Sequence, residues 1–475
     1  MLDRTVFNRD GEVVREDVLR KFADSVQGEI VRPGDEGYET GRRVWNGMID
    51  KFPAMIVYCT GPEHVVTAVN FARENNLLVA VRSGGHNVAG NAVCDGGLVI
   101  DLSRMKGIYL DAESRVARAA AGLTWGEFDY ATQAYGLATT GGLVSSTGIA
   151  ELTLGGGIGW LMRKHGLTCD NLLSVDLVTA NGQLLTANTS ENADLFWGVR
   201  GGGGNFGIVT TFTYRLHRIR QVMAGMIVYP ADRAAELLRF YRDHIATVPD
   251  ELSTMFVFLT VQTAPYLSEH LKGRPAVAIY VCYAGPENRG QQFMKPLRDI
   301  CRPLADAVAI MPYVALQSML DVNARAGLQN YWKSAYLGKL TDTCIDTIAN
   351  QASGMTSPLT QVHIQHMQGA VSRMPEDATA FSATEMPCAA STSSPSGQIQ
   401  MNLGKHITWT RAYAEAMMPF SQGVYVNFLG DEGDDRVKSA YRPETYKRLV
   451  TLKKRYDPDN FFRLNQNIRP SGPDQ

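Results

Sequence analysis

Apolar residues recur at helical spacing in PEHVVTAVNFARENN (62–76), which opens with Pro and Glu and so predicts an amphipathic helix. LLVAV (77–81) follows as a short buried strand, and LVIDL (98–102) and RVARAAAGL (115–123) read as further strands. Thr124 and Glu127 have capping-box spacing and start a helix through Tyr135. SVDLVTANGQLLTA (174–187) is two strand-like runs about Asn181-Gly182, a dipeptide favoured in tight hairpins, and IVTTFTYRL (208–216) alternates as a strand. After about Arg220 a helix, ADRAAELLRFYRDHI, precedes alternating strands STMFVFLTV (253–261) and AVAIYVCYA (276–284), another helix and the strand TQVHIQHM (360–367). PCAASTSSPSG (387–397) reads as a Ser/Pro-rich loop. YVNFLG (425–430), a helix near 443–456 and NFFRLNQNI predict order to about Ile468. Strands and helices do not alternate as in a doubly wound sheet, so the predicted class is α+β, with a second domain of helices backing a mostly antiparallel sheet.

Composition narrows the function. The 475 residues carry 46 Lys+Arg against 48 Asp+Glu, a net charge of −2, which removes the basic footprint of a nucleic-acid or anionic-membrane binder. The N-terminal residues alternate charged and apolar groups without an apolar core, and no apolar run is long enough to span a bilayer, so a cytoplasmic protein is expected. Seven cysteines without a CxxC pair argue against a disulfide framework or a zinc ribbon. HExxH, a P-loop and GxSxG are absent, and no metal is expected.

Glycine is the outlier, with more than half of its 45 occurrences between Arg82 and Gly207. Four patches stand out: RSGGHN (82–87), TTGGLVSSTG (139–148), LGGGIG (154–159) and RGGGGNFG (200–207). Such loops reach positive φ and turn backbone N–H groups onto an anion, so they suit phosphate or pyrophosphate; tight turns in a β-rich domain are the competing reading. Gly202, Gly204 and Gly207 satisfy GxGxxG, but a β-like run follows where a dinucleotide fingerprint requires a helix. His86 directly follows Ser-Gly-Gly and is held on a loop whose course the glycines set.

VRSGGHNVAG, DGGLVIDLSRM, GGGIG, HGLTCDN, GNFGIVT, YVN and YDPDNFFRLNQNI, in that order, resemble the berberine-bridge-enzyme-like branch of the vanillyl-alcohol oxidase / para-cresol methylhydroxylase (PCMH) superfamily. The resemblance implies an FAD-binding domain of two subdomains (48–220, with 1–47 as its N-terminal part), a substrate domain (221–420) and a C-terminal segment (421–470) returning to the flavin. It implies FAD bonded covalently through His86, with Arg82, Ser83, Gly84, Gly85, His86 and Asn87 around the pyrophosphate. Gly142, Ser146, Gly148, Gly157 and Gly159 would line the flavin; Asn171 and the backbone of Val209 would touch it or the adenosine; Asn427 and Asn465 would hydrogen-bond flavin or substrate. Many relatives add a second linkage through the Cys of GxCPxVG, where this chain has Val144, so a single linkage is expected; Cys169 matches a small-residue position elsewhere. Thr147 stands where a Val-sized residue accompanies reaction with O2.

Oxidation by a flavin needs a group to take the O–H or N–H proton. His363 and Gln365 share one face of their strand, and Gln365 offers hydrogen bonding without a proton acceptor. Tyr425 matches the base of alcohol-oxidising relatives; His363 is either its hydrogen-bonding partner or itself the base. Phe428 replaces a common Tyr, Tyr331 and Trp332 are candidates for an aromatic wall or for core, and Glu385 and Met386 mark an altered substrate mouth. The leading expectation is an oxidase acting on the CH–OH of a small organic molecule (secondary metabolite, phenolic alcohol or sugar), giving H2O2 from O2, as a monomer or homodimer. Amine oxidation like that of hydroxynicotine oxidases, an NAD(P)H-dependent reductase, and flavin binding without turnover are the alternatives.

Overall fold

The computed structural model describes residues 5–26, 28–262, 268–382, 388–396 and 403–470. The helix expected at 62–76 spans Pro62–Glu74 and buries Val65, Ala68, Val69, Phe71 and Ala72 between two sheets. One sheet orders Glu29–Val31, Met55–Tyr58, Leu98–Asp101 and Val79–Arg82, the last three parallel. No helix joins the parallel pair Val79–Arg82 and Leu98–Asp101; the glycine-rich loop from 83 onward makes the connection. The other sheet is antiparallel, in the order Ile108–Asp111, Val116–Ala120, Ile208–Arg215, Leu172–Val178 and Leu184–Asn188. Its hairpin turns at Asn181-Gly182, with Gly182 at φ +78°, and the Thr124–Glu127 capping box forms as its spacing predicts.

The region after about Arg220 is built on an eight-stranded antiparallel sheet. Leu237, Leu238, Tyr241, Ile345 and Ile348 from two helices cover one face, meeting Phe256, Ile279, Val362 and Ile364. Trp160, Leu161 and Ala138 from the N-terminal half, with Tyr313 and Leu316, cover the other. Burial on both faces explains a strand the sequence pattern does not show: Gln221–Pro230 is apolar on both sides and lacks alternation. Gln329–Leu337 is likewise unforeseen.

The Ser/Pro-rich segment needs a correction. Residues 388–396 are not a loop but a strand paired antiparallel with Gln361–His366 on one side and Gln329–Leu337 on the other. Neighbours on both edges satisfy the backbone of a segment whose residue types favour turns, so pairing overrides propensity. Pro387, Gly397, Glu385 and Met386 lie outside the described residues.

Two buried cations tie distant segments together. Arg163, 2% exposed, donates to the carbonyls of Leu252 and Met367 and to His366 Nε2 at 2.6 Å, joining the short helix Met162–His165 to the eight-stranded sheet. Lys453 Nζ donates to the carbonyls of Asn205 and Phe462 and to Asp457, both charged side chains being fully buried. Asn205 in turn accepts from the Ile468 N–H and donates to the Gln466 carbonyl, so the fourth glycine patch is held by the C-terminal segment. Among the described residues no helix is long and apolar enough to cross a membrane.

Candidate active site

A cavity of about 190 Å³ lies where the first glycine-rich loop, the 142–147 segment, the eight-stranded sheet and the YVN turn meet. His86, Asn87, Gly142, His363, Gln365, Tyr425 and Asn427 all line it, so the two candidate proton acceptors and the expected attachment point share one chamber. The strand Gln361–His366 is positioned by its pairing with Leu252–Thr260, placing Gln365 opposite Met255 and His363 opposite Val257. The alternation read from the sequence holds: Val362 and Ile364 enter the helix-backed core, and His363 and Gln365 face the cavity.

His86 stacks on Trp45, with ring centroids 4.9 Å apart, and its Nε2 lies 3.0 Å from Ser146 Oγ while Nδ1 lies 3.4 Å from Thr147 Oγ1. Burial pushes its pKa down to about 4, so the imidazole is neutral and one of its nitrogens is unprotonated. Edge-to-face contacts continue from Trp45 to Trp332, Trp332 to Phe428 and Phe428 to Tyr425, forming an aromatic wall. Trp332 thus serves the wall that the sequence left open; Tyr331 instead meets Arg411 through its hydroxyl, at 3.0 Å.

Tyr425 is 1% exposed, and its hydroxyl oxygen accepts from the N–H of Gly157 at 3.0 Å, the N–H of Ile158 at 3.3 Å and Asn427 Nδ2 at 2.9 Å. Gly157 has φ +90°, a conformation other residues resist, and this turns two successive amides onto one oxygen. A neutral phenol has two lone pairs, so a third donor is fully matched only when the proton leaves. Burial nonetheless pushes the pKa up to about 12, against the pull of these donors. The donors are backbone and Asn427 rather than His363, whose Nε2 lies 2.7 Å from Gln361 Oε1 and whose pKa burial pushes down to about 4.

The remaining sequence-derived residues divide. Arg82 is turned to Asp101 and to the Arg43 carbonyl, and Ser83 Oγ donates to the Ala121 carbonyl, so both brace the loop. Gly159 is packed so closely on the Gly141 carbonyl that no Cβ fits. The Asn171 amide donates to the His165 and Leu167 carbonyls and accepts from His217, Val209 sits in the strand ladder, and Asn465 Nδ2 donates to the Gly204 and Phe462 carbonyls. None of these three lines the cavity. Cys169 is fully buried, with its thiol pushed well above its usual range by desolvation.

Sequence reasoning missed Trp45 and Glu151. The Glu151 carboxylate receives the N–H of His86 at 2.9 Å and of Gly148 at 2.7 Å, with the amides of Gly84 and Gly85 also turned toward it. Burial pushes its pKa up to about 7. An acid in the first turn of a helix is ordinary capping, so its spacing carried no distinctive signal. These convergent amides form an anion cradle, and Gly84 and Gly148 approach so closely that a Cβ on either would collide. FAD fits the arrangement: its one anionic group, the pyrophosphate, would meet the cradle's amides, and the cavity beside it exposes His86 and leaves Gln365 Oε1 and Trp332 Nε1 without partners among the described residues.

Comparison with known proteins agrees. Residues 53–188 match the FAD binding domain family and residues 424–469 the "Berberine and berberine like" family. An FAD-linked oxidoreductase of Dictyostelium discoideum is 32% identical over 460 residues, covering 95% of this chain and 97% of that one. The (R)-6-hydroxynicotine oxidase of Paenarthrobacter nicotinovorans is 30% identical over 461 residues, covering 94% and 98%. The crystal structure of 6-hydroxy-D-nicotine oxidase from Arthrobacter nicotinovorans superposes with TM-score 0.84 at 28% identity, covering 94% of this chain and 99% of that one. A chitooligosaccharide oxidase shares the fold, with TM-score 0.83 at 20% identity over 96% of this chain and 100% of the other. Fold and cavity are those of a flavin-dependent oxidoreductase. The chain belongs to the berberine-bridge-enzyme-like family of FAD-linked oxidoreductases.

Proposed function

We propose that this enzyme oxidises the CH–OH group of a small, neutral, ring-containing molecule and passes the electrons to O2 as H2O2, with Tyr425 as the base. The carrying observation is the Tyr425 hydroxyl, held by three donors in the chamber that also exposes His86. FAD bound there supplies the two-electron acceptor. In its ionised form, a minor fraction at neutral pH that grows as pH rises toward about 12, Tyr425 takes the substrate O–H proton as the C–H bond breaks, and the N–H groups of Gly157, Ile158 and Asn427 hold the tyrosine oxygen in place. Gln365 Oε1, 3% exposed as a residue and without a partner among the described residues, accepts a hydrogen bond from the substrate and fixes its orientation. Trp332 and Phe428 offer faces and edges to a ring and exclude water.

Attachment of FAD through His86 alone accords with Val144 on the cavity wall and with the inert burial of Cys169. The other reading, oxidation of CH–NH, is favoured by the relationship to (R)-6-hydroxynicotine oxidase, although Gln365 gives this chain no carboxylate at that site. Acid precipitation should give a yellow pellet whose colour is lost in His86→Ala; a white pellet from the parent protein refutes the linkage. Peroxide release against sugars, phenolic alcohols and cyclic amines separates the two chemistries, and turnover of cyclic amines alone refutes alcohol oxidation.

A further inference from the structure

The amide cradle and its internal occupant point beyond the chemistry of the cavity. Backbone N–H groups from two separate segments, Gly84 to His86 and Gly148, converge on the Glu151 carboxylate. Convergent amides of this kind bind an anion of any origin. The only anion on FAD is its pyrophosphate, so one set of donors faces two claimants. We propose that Glu151 is a built-in stand-in for the FAD pyrophosphate: it keeps the two segments assembled before the cofactor arrives, and must leave the cradle for the pyrophosphate to enter.

The geometry gives the exchange a direction. Two anions cannot share four N–H groups without strong repulsion in a half-dry site, so FAD competes with the ionised carboxylate far more than with the neutral acid. The other titratable groups around the cradle do not alter this: His86 and His363 are neutral near pH 7, Tyr425 keeps its proton, and Arg82 is held by Asp101. Burial pushes Glu151 up to about 7, placing its ionisation within the working range. The pyrophosphate keeps its charge across that range. FAD binding therefore takes up a proton, and affinity falls as pH rises through about 7. If only the protonated form admits FAD, the apparent Kd rises roughly tenfold between about pH 6 and about pH 8.

The test reads binding, not turnover. Flavin-free full-length protein carrying His86→Ala, which cannot bond the flavin through this residue, is titrated with FAD by fluorescence at pH 6 and pH 8. The expected result is a Kd roughly tenfold weaker at the higher pH, abolished by Glu151→Gln, which binds FAD equally at both and more tightly than its parent at pH 8. Riboflavin, which lacks phosphate, should show no dependence on either variable. Glu151→Gly provides the same comparison if the Gln variant does not fold. Equal FAD affinity with and without the carboxylate at pH 8, or weaker FAD binding in both Glu151 variants, overturns the proposal. Failure of every variant to bind FAD at either pH overturns it together with the placement of the pyrophosphate, whereas the choice of substrate and base is untouched by any of these results.

Discussion

Replacing Tyr425 with Phe removes one oxygen atom and separates two consequences. The first is structural: the N–H groups of Gly157 and Ile158 lose their acceptor inside a site where Tyr425 is 1% exposed, while Asn427 Nδ2 keeps the Leu152 carbonyl at 3.0 Å. Each unpaired buried donor costs about 1–3 kcal/mol, and two on adjacent residues partly share relief, so a loss of about 2–4 kcal/mol is expected in urea unfolding. The second is chemical: loss of a positioned base lowers the rate of anaerobic flavin reduction by about 10²–10⁴-fold. The pH profile divides them. A base whose pKa is pushed up to about 12 gives a parental reduction rate that climbs with pH through the neutral and mildly alkaline range. In Tyr425→Phe the climb disappears, and a merely loosened site would keep it at lower amplitude. Reduction within threefold of the parent in the Phe variant, with its pH slope intact, refutes Tyr425 as the base.

Two further variants probe the ties between segments. Arg163→Ala leaves the Leu252 and Met367 carbonyls and His366 without their donor, and chemical denaturation should show a loss of about 2–4 kcal/mol; a loss below about 0.5 kcal/mol would mean that water replaces the guanidinium. Lys453→Met strands the Asp457 carboxylate in a fully buried position, and about 3–5 kcal/mol of destabilisation is expected, measured as a fall in melting temperature; an unchanged melting temperature refutes it.

Much of the chamber was legible because its residues sit on strongly patterned segments. The two-residue spacing of His363 and Gln365 fixes their shared face once the strand is recognised, and consecutive glycines beside His86 announce backbone N–H groups with a purpose. The strand at 388–396 was illegible because its pairing comes from neighbours on both sides, which local composition does not encode. Gln221–Pro230 hid for the opposite reason: with both faces covered it loses the alternation by which strands are read. Trp45 and Glu151 matter through partners more than 40 positions away, His86 in both cases, and short-range spacing says nothing of such meetings.

The Lys453 clamp has a consequence for how the enzyme is made. Lys453 lies 248 positions beyond the Asn205 carbonyl it holds. At a synthesis rate of roughly 5–20 residues per second, the fourth glycine patch waits on the order of 10–50 s for its permanent partner. The FAD-binding half therefore leaves the ribosome with one loop unfastened, and cofactor capture on a nascent chain should be incomplete until Ile468 is in place.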